Sequence, residues 1–121
     1  MYHANGLHQE ALNSYTIILK NKQYPQASRL RVNMGNIFFE QKKYALGLNY
    51  YRNALQYSEQ TKDSVKIYLR KLNMTWAYFE IKKFKEGKLY LDYINSHKKF
   101  GDESTVVLEN MLNGVYYENK K

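Results

Sequence analysis

The chain has 121 residues, 44% of them hydrophobic, with a single proline, enough for one small domain or a few helical repeats and too apolar for a disordered tail. It lacks an apolar run of the roughly 18 residues that cross a bilayer, and with no cysteine it has neither disulfides nor thiolate metal sites. Its formal charge is +8, but 15 Lys, 12 Asn and 13 Tyr make up a third of the residues. All three types use A/T-rich codons, so the positive charge reads as compositional, and the 4 Arg are too few and scattered for a phosphate-binding face.

In chain order, Met1 to Gly6 has neither the basic start nor the apolar core of a signal peptide, and His3 falls in a fraying start. The spacing of Ala11, Tyr15, Ile18 and Leu19 predicts a lone helix from Glu10 to Lys22, half of a hairpin (9–22). A full hairpin (28–61) follows. Leu30, Met34, Ile37 and Phe38 form one stripe, and Tyr44, Leu48, Tyr51, Ala54 and Leu55 form the next, joined by the polar turn 40–43. The plan repeats over 62–96, with Leu69, Leu72, Trp76 and Phe79 on one helix and Phe84, Leu91 and Ile94 on its partner, joined at Lys82 and Lys83. After a loop from His97 to Gly101, Asp102 caps a last helix (102–118) carrying Val106, Val107, Leu108, Met111, Leu112 and Tyr116, with Glu103 suited to the positive end of its dipole.

The two full hairpins match position by position. Gly35, Phe38, Tyr44, Gly47, Tyr51 and Ala54 recur 40 residues later as Thr75, Tyr78, Phe84, Gly87, Leu91 and Ile94. Small residues let antiparallel helices approach, and rings fill the space on either side. The pattern resembles the tetratricopeptide repeat (TPR), with about six residues beyond its usual period of ~34. That surplus is expected in 56–64, as a longer loop or a longer first helix. The expected fold is all-α, a TPR-like α-solenoid fragment of antiparallel pairs whose neighbours stack to expose a concave groove. Its ends look uncapped, which implies part of a longer product or ends that dock on partners.

A narrower resemblance rests on Leu19-Lys20-Asn21-Lys22, on the run from Arg29 to Phe39 with its Asn33-Met34-Gly35-Asn36-Ile37 centre, and on Tyr50-Tyr51-Arg52-Asn53-Ala54-Leu55. These are similar to the polaris family, the large TPR subunit of the intraflagellar transport B complex. The likeness is dense from Glu10 to Leu55 and thinner from Ser64 to Ile94, where Asn73, Phe84 and Ile94 still fit. Gly47 and Gly87 replace a usual alanine, Thr75 a glycine and Leu91 an aromatic residue. The resemblance implies a non-catalytic scaffold for cilium assembly that binds other complex-B subunits. It places that scaffold in the cytoplasm, at the cilium and the ciliary base, without membrane insertion.

The expected protein-binding groove is lined by Arg29, Val32, Asn36 and Phe39, then Leu69, Leu72, Trp76 and Phe79, an apolar surface suited to an amphipathic helix or extended peptide. The competing reading is that Leu72 and Trp76 simply pack between repeats. A general TPR adaptor of the chaperone type would clamp a C-terminal carboxylate with cations. The matching positions are Val32, Asn36, Asn73, Leu108 and Leu112, and none is a cation. RNA binding would need exposed rings among lysines; Tyr50, Tyr51, Tyr90 and Tyr93 imitate this, but Tyr51 is a packing position. His3, His8 and His97 are not spaced as metal ligands, no nucleophile or phosphate-loop motif occurs, and no cofactor is expected.

Overall fold

The computed structural model describes residues 2–20 and 27–120, with side chains over 7–20 and 27–119. Asn21 and Lys22, at the end of the first expected helix, lie outside the described residues. The elements are α1 (Tyr2–Leu19), α2 (Ala27–Glu40), α3 (Tyr44–Gln60), α4 (Ser64–Glu80), α5 (Phe84–Ser96), a short 3-10 turn (Lys98–Phe100) and α6 (Glu103–Lys120). No strand occurs among the described residues. α1 begins at Tyr2 rather than Glu10, so His3 lies on a helix; Ala4 and Leu7 favour that extension, and Gly6 opposes it by only about 1 kcal/mol.

Only residues 61–63 separate α3 from α4, so the six-residue surplus of the repeat is carried as helix, with α3 and α4 each 17 residues long. The three tight connections share one geometry. Lys42, Lys62 and Lys82 sit in the left-handed region at φ 62°, 56° and 63°. In each, the amide of the next residue donates back to a carbonyl five residues earlier: Lys43 to Phe38, Asp63 to Ser58 and Lys83 to Tyr78. The lysine's own amide donates to the carbonyl three residues earlier. This is the Schellman closure, which pairs carbonyls that a helix end would otherwise leave unsatisfied.

The chain divides into two compact units, Met1–Ala54 and Leu55–Lys121, with the boundary inside α3. In the first, Leu12 of α1 meets Met34 and Ile37 of α2, with Ala11, Tyr15, Leu19, Phe38 and Tyr50 around them. The α2–α3 pairing is antiparallel. Phe39 meets Tyr44 edge-on at 5.3 Å, Gly35 faces Gly47, and Ser28 Oγ donates to the Ala54 carbonyl at 3.1 Å. A Cβ on Gly35 would lie 2.7 Å from the Tyr51 ring and 3.1 Å from the Gly47 carbonyl oxygen, so only hydrogen fits at this approach.

In the second unit, Tyr68, Leu72 and Phe79 of α4, Leu91 and Ile94 of α5 and Leu112 of α6 form one core. α4 and α5 are again antiparallel: Phe79 lies 5.4 Å from Phe84, Tyr78 stacks on Tyr90 at 5.9 Å, and Lys71 Nζ stands 3.6 Å over the Tyr93 ring. α6 is held by polar contacts as well. Asp102 accepts the Ser104 and Thr105 amides at 2.8 and 3.2 Å, while its own amide donates to Thr105 Oγ1 at 3.0 Å, a reciprocal N-cap. One turn on, the buried Glu109 carboxylate accepts the Tyr68 hydroxyl at 2.5 Å and the Thr105 hydroxyl at 2.9 Å.

Candidate protein-binding surface

The packing positions of the two hairpins do equivalent jobs with different residues. Gly47 and Gly87 each leave room on the second helix, and in each unit the ring of the residue eight positions earlier, Phe39 or Phe79, fills it. Phe38 stacks on Tyr50 at 5.3 Å as Tyr78 stacks on Tyr90. Tyr51 and Leu91 are both 1% exposed, and Ala54 and Ile94 are fully buried. Thr75, standing where the first pair has Gly35, is buried, and its hydroxyl turns back to donate to the Lys71 carbonyl at 2.9 Å. Tyr44 and Phe84 sit at the starts of their helices, each with one ring contact to the preceding Phe.

The expected groove residues separate into two kinds. In the first unit Arg29 and Asn36 are exposed, whereas Val32 and Phe39 are buried. In the second, Leu69 and Trp76 are half-buried beside the core, whereas Leu72 and Phe79 belong to it. Groove lining by Val32, Phe39, Leu72 and Phe79 is therefore corrected. Phe39 and Phe79 turn into their own hairpins, where their rings fill the space over Gly47 and Gly87, and burial of so much apolar area outweighs any lining role. Arg29 and Asn36 are exposed on one unit, and Leu69 and Trp76 are half-buried on the other. The Asn36 side-chain oxygen accepts a hydrogen bond from the Tyr51 hydroxyl, which orients it.

The carboxylate-clamp positions lose further ground, because Leu112 is 1% exposed. The rings that could imitate a nucleic-acid platform are engaged within the protein. Tyr51 is buried, Tyr50 and Tyr90 are stacked on their partner helices, and Tyr93 is stacked on His97 at 3.8 Å with Lys71 over it. Among the described residues no group of His, Asp and Glu could hold a metal ion, and no helix is long and apolar enough to cross a membrane.

A second surface was barely legible in the sequence. α6 leaves Val107, Met111, Val115 and Tyr117 exposed, and the last three, with Phe84 and Gly114, line an open groove of about 660 Å³. The signal for it was the presence of apolar residues on more than one side of that helix.

With this geometry, comparison with known proteins is informative. The chain is 33% identical over 98 residues to a human protein, intraflagellar transport protein 88 homolog; the match takes in 80% of this chain. The chain is polaris-like. It spans only 11% of that relative's length. No family model matches it, and no solved structure does. Among the described residues the polaris-like chain is helical, built of TPR-type antiparallel pairs, with the exposed Arg29 and Asn36 and the half-buried Leu69 and Trp76 on the first helices of its two pairs.

Proposed function

We propose that the chain is a non-catalytic protein-binding scaffold of the intraflagellar transport type, acting in cilium assembly at the cilium and its base. Its partners on this reading are other subunits of the intraflagellar transport B complex. The observation that carries the proposal is the 33% identity over 98 residues to intraflagellar transport protein 88 homolog. The helical-hairpin architecture supports it, since paired helices present side chains at fixed spacing to a partner and rarely assemble reaction chemistry. Arg29 and Asn36 in one unit and Leu69 and Trp76 in the other supply polar and apolar contacts of the kind that anchor a bound helix or peptide.

The test is affinity capture from ciliated cells expressing the tagged chain, with an Arg29→Glu, Leu69→Asp double variant as the comparison. The proposal expects complex-B subunits to be enriched with the native chain and reduced at least several-fold with the variant, helicity being unchanged. Recovery of chaperones alone would instead favour a general adaptor and sink the ciliary reading.

A further inference from the structure

Charge is divided unequally between the two units. Residues 1–54 carry seven basic residues against two acidic, and residues 55–121 carry twelve against nine. From Ala11 to Ser58 the single carboxylate is Glu40, and the His8 ring lies 2.9 Å from it. Codon usage raises lysine along the whole chain but does not strip carboxylates from one half of it. The helix starts show the same division. In the second unit α4 is capped by Asp63, α5 has Glu86 in its first turn, and α6 starts at Asp102 and Glu103. In the first, none of α1, α2 and α3 has an acidic residue in its first turn.

Arginine follows the same division. Three of the four, Arg29, Arg31 and Arg52, lie in the first unit, and Arg70 of the second is buried. The α2–α3 hairpin brings two of them level. Ser28 Oγ reaches the Ala54 carbonyl, so Arg29 in the first turn of α2 and Arg52, two residues before Ala54, stand at the same end of the pair, both exposed. The contacts of His8 with Glu40 and of Leu12 with Ile37 set α1 antiparallel to α2, which brings the exposed Lys20 to that end and leaves Glu40 at the other. Arg52 Nη1 donates to Asn49 Oδ1 at 3.2 Å, which orients the guanidinium. The fold gives no reason for a cation at Arg29, because the first turn of a helix is the positive end of its dipole. Like charges gathered without carboxylates repel one another, and an anionic partner relieves that cost.

We propose that the first unit docks an acidic segment of a protein partner, whose carboxylates engage Arg29 and Arg52. Arginine suits this task because its planar fork gives a carboxylate two parallel hydrogen bonds, where lysine offers a point charge. A nucleic acid fits the same charge less well. Its bases need rings to stack on, and in this unit Tyr51 is buried and Tyr50 lies on Phe38. The proposal rests on the protein-binding reading, to which it adds the partner's chemistry, and is independent of the ciliary one.

Fluorescence anisotropy on the full chain tests this. The probes are a labelled peptide of about twelve residues rich in Glu and Asp, its Gln and Asn counterpart, and a single-stranded RNA of similar length. The acidic peptide is expected to bind, several-fold more weakly at about 200 mM salt than at about 50 mM, and the amide peptide is not. Arg29→Gln combined with Arg52→Gln should weaken binding about tenfold or more. Lysine at both positions should keep part of it, since the charge remains without the fork. Lys85→Gln combined with Lys98→Gln removes the same charge from exposed positions of the second unit and should change binding less than about twofold. All four positions are exposed, so the fold tolerates these changes, and circular dichroism checks that helicity is kept. Equal losses from the two glutamine pairs would overturn the proposal, because the attraction would then be diffuse. So would RNA bound as tightly as the acidic peptide, or an acidic peptide still unbound at about 1 mM. Intact peptide binding alongside failed capture of complex-B subunits would support the docking site and strike only the ciliary reading.

Discussion

At Lys42, Lys62 and Lys82 a residue that carries a Cβ occupies a conformation that costs L-residues about 1 to 2 kcal/mol and that glycine adopts freely. Changing any one of them to Gly is expected to raise stability by about 0.5 to 1 kcal/mol, after glycine's extra freedom in the unfolded chain is subtracted. The check is the urea midpoint at constant slope. The same change at Lys83, outside the left-handed region, should not help. Gly87 carries the opposite strain. An added methyl would press on the Phe79 ring and come within 3.3 Å of Tyr78 Cβ. Gly87→Ala should therefore destabilise by about 1 to 2 kcal/mol despite alanine's better helix propensity, and Phe79→Leu should recover part of the loss in a double-mutant cycle.

Tyr68 gives a pH signature. Burial, then the hydrogen bond to Glu109, then that carboxylate's charge, raise its phenol above the ordinary value. Burial, and then the charge of Glu40, raise Tyr51 likewise. The folded state thus holds these protons more tightly than the unfolded chain, so their contribution is complete below pH about 10 and is lost as the pH rises beyond it. Urea midpoints measured between pH about 9 and about 11 should fall, and fall less steeply in Tyr68→Phe. An equal slope in the variant would remove Tyr68 from the explanation.

Among elements, the ones best foretold were those with strong periodicity and a repeat to check them against. The Gly35–Tyr51 and Thr75–Leu91 hairpins could be aligned by offset, and offsets survive translation into three dimensions because a helix has a fixed pitch. The junction at 61–63 fell at the expected boundary between 61 and 62, but whether the surplus there was loop or helix stayed open, because Thr61-Lys62-Asp63 lacks the glycine or proline that usually marks a helix end. Backbone geometry there is imposed by two hydrogen bonds and by packing, which composition does not display. The exchange of Phe38 for Phe39 as the inward ring had a similar cause. Adjacent phenylalanines lie about 100° apart on a helix, and sequence offers no way to choose which one fills a gap on another helix. The link from Tyr68 to Glu109 spans 41 residues and joins polar groups that periodicity ignores. Asp102, by contrast, was readable as a cap from its position alone; Asp102→Ala is expected to cost about 1 kcal/mol, measured by thermal or urea unfolding.

For the molecule as a whole, the +8 charge and the abundance of tyrosine pull toward nucleic acid, and the structure weakens that pull by engaging the rings internally. Affinity for a single-stranded RNA in about 150 mM salt should accordingly stay above the micromolar range, with the steep salt dependence of non-specific binding. Nanomolar binding that resists salt would reverse this. The family likeness came through at whole-molecule scale because Asn33 and Asn36 are not demanded by packing, so their presence carries information beyond the repeat.

The three lysine-centred links have an engineering consequence. Each passes from one helix to the next in three residues, with all three amides of the bend donating back into the preceding helix. One residue added at Lys62 would rotate everything in α4 by about 100° and carry Tyr68 and Leu72 off their inward sector. A block of 40 residues, cut between one such bend and the next but one, would instead splice in without changing phase. The chain's architecture is therefore brittle to single-residue indels at its corners yet permissive to whole-module duplication, a tolerance that a library of spliced variants would expose directly.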